Sequence, residues 1–242
     1  MMKLHLALLF TAAMAFPALA AGQTQSFPTK AGAVQITPIY HAAAKITAGN
    51  DTIYIDPAKP AKIEGMPPGD LILITDIHGD HMDAADVTAL SKTGTVVIAP
   101  AAVAKTITQA KVLANGETTD WRKWKITAVP MYNINHNQPS GAPYHDKGRG
   151  NGYVLNYGAK NFYFAGDTEG VPEMRALKDI DVAFIPMNLP YTMTPQEAAD
   201  AVKAFHPKVA IPYHYKGQDV EVFKKALDGS GIDVRLLEWY PQ

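Results

Sequence analysis

The 242-residue sequence predicts a single layered α/β domain. Short apolar runs rich in β-branched residues alternate with stretches of helical pattern along most of the chain,. No Pro- or Ser-rich linker separates these runs, which favours one domain over two. Hydrophobic residues make up 47% of the chain and charged residues 19%, as expected for a globular protein that buries its own core,.

The predicted strands follow the apolar runs in chain order. They cover residues 33–40, 43–49, 52–57, 70–75, 95–100, 123–132, 152–157, 161–167, 181–186, 208–214 and 234–240. The run at 70–75 is continuously apolar, which is typical of a strand covered on both faces. Predicted helices cover 82–92, 194–205 and a stretch near 218–228. The second of these has a full start signal, with Thr194 as N-cap, Pro195 at the first helical position and Glu197 completing a capping box.

The first twenty residues have the layout of a secretory signal peptide. Lys3 precedes an apolar run from 4 to 16, and small residues follow at Ala18 and Ala20,. The run is too short for a membrane anchor, since spanning a bilayer takes about 20 apolar residues. We therefore expect residues 1–20 to be a signal peptide and residues 21–242 to form the mature domain. We expect that domain to be exported, either periplasmic or secreted.

Charge and composition also limit the kinds of partner and metal ligand that this chain can use. The formal net charge is −1 and no long block of like charge is present, which argues against a nucleic-acid binder,. The chain contains no cysteine, so disulfides and thiolate metal ligands are excluded. We expect a small-molecule substrate, no nucleic acid and no stable membrane insertion; the sequence leaves the oligomeric state open.

Four potential metal ligands follow the buried run at 70–75 within six residues. They are Asp76, His78, Asp80 and His81. Metal ligands must be deprotonated donors that converge to about 2.0–2.2 Å from an ion, and a turn directly after a strand can bring such donors together. Gly79 permits the tight bend. A solvated acidic turn is the alternative, but four donors in so short a stretch favour a metal site.

Three more potential ligands have a similar placement. Asp167 and His214 each follow a predicted strand, and His145 lies in a long polar loop between 133 and 152. The carboxyl ends of strands in an α/β sheet meet at one edge, where sites form. His136 lies in the same loop and is the alternative to His145, but only His145 precedes a Gly-rich run, "DKGRGNGYV".

These motifs resemble the metallo-β-lactamase-fold hydrolases. The family signature is His-x-His-x-Asp-His, a distant His, Gly-Asp-Thr and a final His; the matches here are "DIHGDH" (76–81), His145, "GDT" (166–168) and His214. More narrowly, "FAGDTEGVPEM", "IDVAFIP", "YTMTPQEAADAV" and "PKVAIPYHY" are similar to the branch of ascorbate-6-phosphate lactonases and relatives of N-acyl phosphatidylethanolamine phospholipase D. The resemblance implies a four-layer αββα sandwich with two metal ions at its edge.

The resemblance also implies a role for each ligand. The first metal would be held by Asp76, His78 and His145, the second by Asp80, His81 and His214, with Asp167 between them. A water or hydroxide between the metals would be the nucleophile, and Asp80 would orient it and take its proton. Asp56, in "YIDP", matches an aspartate that braces the ligand loop. His41, in "YHAAAKI", matches a segment near the site, with an ordinary turn histidine as an equal alternative.

Asp76 departs from the family pattern, which most often has histidine there. Two divalent ions and a hydroxide carry +3, so the usual two carboxylates leave +1, and a third leaves zero. A neutral centre should attract anionic substrates less and raise the pKa of bound water. We expect zinc at the centre, with manganese or iron possible at the first site, because an oxygen donor suits those metals.

The sequence thus predicts an exported metal-dependent hydrolase of an ester, lactone, amide or phosphodiester bond. The alternative is a non-catalytic sensor or scaffold that retains the metal cage. Three cations beside the ligand positions could receive an anionic group of the substrate or face water instead. These cations are Lys147, Arg149 and Lys216.

Overall fold

The computed structural model describes residues 24–241, which form two seven-stranded sheets arranged in sequence order. The predicted signal peptide lies outside the described residues. The strands of the first sheet are β1 (Gln25–Thr29), β2 (Gly32–Tyr40), β3 (Ala43–Ala48), β4 (Asp51–Ile55), β5 (Leu71–Leu73), β6 (Val96–Ala99) and β7 (Lys111–Val112). Pairing is antiparallel from β1 to β4 and parallel from β4 to β7.

The second sheet repeats this division. Its strands are β8 (Thr118–Trp121), β9 (Trp124–Met131), β10 (Gly150–Tyr157), β11 (Lys160–Phe164), β12 (Val182–Pro186), β13 (Val209–Tyr213) and β14 (Asp233–Val234). Pairing is antiparallel from β8 to β11 and parallel from β11 to β14. Each sheet therefore has one parallel half whose strand ends can gather functional side chains.

In the described part of the chain, five helices cover the outer faces of the sheets. They are α1 (Ala84–Ala89), α2 (Ala101–Ala104), α3 (Pro172–Arg175), α4 (Pro195–Phe205) and α5 (Val220–Ala226). The capping box predicted for α4 is confirmed, with Thr194 and Glu197 bonding each other's backbone amides. None of the helices within residues 24–241 has the length and apolar content needed to span a membrane.

Three hydrophobic clusters define the layers. One lies between the sheets and includes Trp124, Tyr153 and Phe184. A second joins α1 and α2 to the first sheet through Val87 and Val103. A third joins α3, α4 and α5 to the second sheet and is dominated by small and aliphatic side chains. Helix, sheet, sheet and helix thus stack in four layers, and the predicted αββα sandwich is confirmed.

Some element predictions were wrong or incomplete. The strand predicted at 234–240 is only the two-residue β14; beyond it Leu237 and Trp239 fill the core between the sheets from irregular backbone. Their apolar pattern reflects that burial, which no local signal distinguishes from a strand. Three strands and two helices were not predicted. These are β1, β7, β8, α2 and α3, short elements held by pairing or packing with neighbours.

Candidate metal centre

Seven side chains converge at the edge where the parallel strands of both sheets end. The turn after β5 supplies Asp76, His78, Asp80 and His81; the second sheet supplies His145, Asp167 and His214. All seven are therefore brought together by the fold, as the sequence predicts. Asp167 lies after β11 and His214 after β13, and both are almost fully buried.

The group formed by His81, Asp167 and His214 has the spacing of a tetrahedral site. Nε2 of His81 lies 3.2 Å from Nε2 of His214 and 3.1 Å from Oδ2 of Asp167. Nε2 of His214 lies 3.3 Å from Oδ1 of Asp167. Ligands bound tetrahedrally at 2.0–2.1 Å are roughly 3.3 Å apart. These three donors are therefore spaced as the corners of a single zinc-sized site.

The other group consists of Asp76, His78 and His145. It is called the first group because the sequence assigns it to the first metal, and His81, Asp167 and His214 are called the second group. Oδ2 of Asp76 lies 3.0 Å from Nδ1 of His78 and 3.8 Å from Nε2 of His145. Asp167 lies between the groups, because its Oδ2 is 3.2 Å from Nε2 of His145. This arrangement matches the ligand division that the family resemblance implies, with one difference. Asp80 lies farther from His81 and His214 than these two lie from each other: its Oδ2 is 4.0 Å from Nε2 of His81 and 3.4 Å from Nε2 of His214.

Unsatisfied atoms indicate that a metal fits this cluster. Nε2 of His145 and Oδ1 of Asp167 are buried and form no hydrogen bond within the described chain. Buried polar atoms are normally paired, so each unpaired one calls for an explanation. Both atoms point into the cluster where a cation would accept their lone pairs. The donor set of imidazole and carboxylate groups suits zinc, iron or manganese.

Asp56 fixes the orientation of His81 by contacting Nδ1, the ring nitrogen that faces away from the cluster. Its Oδ2 accepts hydrogen bonds from Nδ1 of His81 at 2.8 Å and from Oγ1 of Thr75 at 2.6 Å. Its Oδ1 accepts from the backbone N–H of Thr75 at 2.7 Å. With Nδ1 donating to Asp56, Nε2 of His81 keeps its lone pair for a metal. Asp56 thus occupies the bracing position predicted for it, and Thr75 is an additional member that the sequence did not single out.

Asn133 fixes His145 in a similar manner. Oδ1 of Asn133 accepts from both the backbone N–H and Nδ1 of His145, at 2.8 and 2.7 Å. Glu169 accepts from Nδ2 of Asn133 at 2.9 Å and so holds the amide in that orientation. His136 lies elsewhere, with Nε2 3.1 Å from a carboxylate oxygen of Glu197. The geometry therefore places His145, not its competitor, at the cluster.

His41 lies against the open side of the cluster. Its Nε2 is 3.1 Å from Oδ2 of Asp80 and its Nδ1 is 2.8 Å from Oη of Tyr240. Its ring also lies 3.7 Å from that of His214. Tyr240, near the chain's end, is a participant that the sequence did not suggest, because nothing local in "EWYPQ" indicates a site.

Arg149 forms a contact that changes the charge of the centre. Its Nε lies 3.2 Å from Oδ1 of Asp76 and its Nη2 lies 3.0 Å from Oδ2. The charge count made from the sequence did not include this guanidinium; while the pair is formed, Asp76 and Arg149 together are neutral, as one histidine would be. Lys147 instead bonds Glu173, and Lys216 is exposed two residues after His214.

Burial and mutual contacts shift several pKa values. Burial raises the pKa of the Asp80 carboxyl, but hydrogen bonds from His214 and His41 lower it more, to well below its usual range. Burial lowers the pKa of His81, yet the carboxylates of Asp167 and Asp56 raise it well above its usual value. Burial lowers the pKa of His41. Burial also raises the pKa of the Asp167 carboxyl, but His214, His81 and His145 lower it well below its usual value, so Asp80 and Asp167 are ionised near neutral pH and available to a cation.

Comparison with known proteins agrees with this geometry. Residues 35–214 match the family described as "Beta-lactamase superfamily domain". A UPF0173 metal-dependent hydrolase of Methanopyrus kandleri is 31% identical over 221 residues, covering 84% of this chain and 96% of the relative. One from Symbiobacterium thermophilum is 34% identical over 224 residues, covering 85% and 92%.

Solved structures agree as well. A crystal structure of a candidate metal-dependent hydrolase from Parabacteroides distasonis has a TM-score of 0.85 and 44% identity, covering 89% of this chain and 98% of that chain. A metallo hydrolase from Ignicoccus hospitalis has a TM-score of 0.70 at 24% identity, covering 85% and 95%, and so shares the fold. The narrower resemblance to the ascorbate-6-phosphate lactonases stays a prediction. With its sandwich fold and its cluster of histidines and aspartates, this chain belongs to the UPF0173 metal-dependent hydrolases of the metallo-β-lactamase superfamily.

Proposed function

We propose that this protein is an exported hydrolase that uses two metal ions to cleave an ester, lactone, amide or phosphodiester bond. The observation that carries the proposal is that two three-donor groups meet at Asp167, whose Oδ2 lies 3.1 Å from Nε2 of His81 and 3.2 Å from Nε2 of His145. One ion would be held by His81, Asp167 and His214, with Asp80 beside it. The other would be held by Asp76, His78 and His145.

The bound metals would polarise the carbonyl or phosphoryl oxygen of the substrate and make a water molecule nucleophilic at neutral pH. Asp80 is the carboxylate best placed to act on that water. Its side chain is 39% exposed, whereas those of Asp76 and Asp167 are nearly or fully buried. We assign Asp80 the role of orienting the water by accepting its hydrogen bond and of taking its proton.

His41 holds Asp80 in this orientation. It links the carboxylate to Tyr240 through hydrogen-bond distances of 3.1 and 2.8 Å. A carboxylate fixed by a second group presents its free oxygen in one direction, which favours a defined approach of the water. We therefore assign His41 a positioning role.

Aromatic and aliphatic side chains beside His145 favour a substrate with an apolar substituent. Tyr144 precedes this ligand and packs edge-to-face on Tyr191, with ring centroids 5.0 Å apart. Ile134 and Tyr191 are 49% and 44% exposed. Their loops are joined by Asn133, which donates to the carbonyl of Tyr191 at 2.9 Å. Apolar surface beside a polar centre is common in small-molecule sites.

A substrate panel tests this function. Chelator-treated protein would be reloaded with zinc, manganese or iron and assayed on p-nitrophenyl acetate, p-nitrophenyl octanoate, a γ-lactone, an anilide and bis-p-nitrophenyl phosphate. We expect turnover of at least one class, lost on chelation and in Asp167→Asn, with the octanoate preferred to the acetate. Asp181→Asn, an acid near the start of β12, is the matched control and should retain activity. Absence of turnover on every class with every metal would contradict the proposal.

Export rests on the sequence of residues 1–20 and is tested separately. Expression of the full chain in a Gram-negative host should give a periplasmic product whose N-terminus lies just after residue 20. Replacing three leucines of the apolar run with glutamine should retain the uncut protein in the cytoplasm. An uncut, cytoplasmic wild-type product would contradict export.

A further inference from the structure

Asp76 and Arg149 form a two-point ion pair at the first metal group. Nε of Arg149 bonds Oδ1 at 3.2 Å and Nη2 bonds Oδ2 at 3.0 Å. The Asp76 side chain is fully buried, and that of Arg149 is 21% exposed. Paired contacts of this kind are the strongest that a guanidinium makes with a carboxylate.

The guanidinium contacts the very oxygen that the first group requires. Oδ2 of Asp76 is also the atom nearest to His78 Nδ1, at 3.0 Å, and to His145 Nε2, at 3.8 Å. Nη2 of Arg149 lies 3.4 Å from Nε2 of His78 as well. A guanidinium is permanently charged and has no lone pair to offer, so it cannot be a ligand. It repels a cation that approaches these donors.

The second group has no such competitor. Within residues 24–241, Asp167 forms ion pairs with His81, His145 and His214 and with no lysine or arginine. Asp80 likewise meets only histidines. The two groups therefore differ in the charge that an arriving metal encounters, although they share Asp167.

We propose that Arg149 makes metal loading sequential. The site of His81, Asp167 and His214 fills first and tightly. The site of Asp76, His78 and His145 fills only at higher metal concentration, when the ion displaces the guanidinium from Oδ2 of Asp76. The displaced side chain then turns towards solvent, where it is already partly exposed. This inference rests on the proposed two-metal centre and adds the order in which the centre is assembled.

Lys147 provides a matched control for Arg149. It lies two residues away on the same loop and carries the same charge, but its Nζ bonds Glu173 at 2.6 Å and lies over the Tyr132 ring. Replacing it removes one positive charge near the centre without touching Asp76. Arg149→Met and Lys147→Met thus separate the direct contact from the general loss of charge.

The test is calorimetric titration of chelator-stripped full-length protein with Zn²⁺, supported by elemental analysis. Wild type should bind one ion tightly and a second at least about tenfold more weakly, on the scale of supporting-residue effects at metal sites. Arg149→Met should tighten the weak event by about tenfold and change the tight one little. Lys147→Met should leave both events unchanged. His78→Ala should abolish the weak event alone, which assigns it to the first group.

Two results would overturn the inference while leaving the two-metal centre intact: equal affinities in wild type, or the same tightening in both methionine variants. No metal bound to any variant would overturn both. If Arg149→Met does not fold, as judged by circular dichroism, Arg149→Lys replaces it. That variant keeps a charge but loses the two-point contact, so it should still tighten the weak event by a measurable factor, and an unchanged pattern would count against the inference.

Discussion

Oδ2 of Asp56 lies 2.8 Å from Nδ1 of His81, and neither side chain is exposed to solvent. The bond directs the opposite nitrogen of the imidazole at Asp167 and His214. Asp56 also holds Thr75, the residue directly before the ligand turn. One buried carboxylate therefore fixes both the start of the turn and its last ligand.

Asp56→Ala should weaken metal binding without removing any ligand. Loss of a hydrogen-bonded partner behind a ligand histidine commonly costs 10–100-fold in affinity, so we expect a loss of about that size. Competition with a chromophoric chelator measures it. Asp51→Ala is the matched control: it removes another buried carboxylate, at the start of β4, that accepts hydrogen bonds from Trp124 and Arg122. That variant should lower thermal stability but retain metal affinity; equal affinity loss in both would refute the bracing role.

His145→Ala should lose metal from the first group, because Nε2 of this residue is the donor that completes it. His136→Ala should retain wild-type metal content, since that ring bonds Glu197 away from the cluster. Elemental analysis after gel filtration compares the two variants. The opposite ranking would show that the polar loop rearranges when metal binds and that His136 is the true ligand.

Asp76→His should shift the first group towards zinc relative to manganese, because imidazole suits zinc better than an oxygen donor does. Competition between Zn²⁺ and Mn²⁺, read by elemental analysis, measures the shift. Asp76→Asn removes the same negative charge without adding an imidazole. If both variants favour zinc equally, charge governs the preference, and if neither differs from wild type, Asp76 does not bind metal.

Asp70 should contribute to stability in a pH-dependent manner. Burial raises the pKa of its carboxyl. Lys92, the Thr52 backbone N–H and Arg122 together lower that pKa by more, so it lies below its usual value. A lowered pKa in the folded state means that this stabilisation is present above about pH 4, the unfolded value, and is lost as pH falls through the folded value.

Asp70→Asn should therefore cost about 1.5–3 kcal/mol in the free energy of unfolding at pH 7, the range for hydrogen bonds to a charged group. The difference from wild type should shrink steadily below about pH 4. Urea denaturation at several pH values gives both numbers. Asp228→Asn, an acid in the turn after α5, is the control; a constant difference for Asp70→Asn across the pH range would contradict the prediction.

The sequence predicted which side chains gather at the candidate centre better than it predicted the contacts around them. The ends of β11 and β13 place Asp167 and His214 at one edge, and the turn after β5 gathers four more donors. The periodicity of the strands and the spacing of the donors were therefore sufficient to predict that these six side chains lie close together. The supporting contacts of Asn133, Glu169 and Tyr240 depend on loops and a chain end that approach the site from distant positions. Arg149 shows the same limit: its place in the sequence beside His145 was visible, but its pairing with Asp76, 73 positions away, arises only in the folded chain.

The two sheets divide the chain near residue 115, and the ligands divide with them. The first half supplies Asp76, His78, Asp80 and His81, and the second half supplies His145, Asp167 and His214. An ion shared by His81 and His214 would link positions 133 residues apart. For a disulfide, chain-entropy arguments give a loop of that length about 4–5 kcal/mol of stabilisation. A protein without a single cysteine would thus carry a cross-link between its halves that forms with metal supply and is undone by a chelator instead of a reductant.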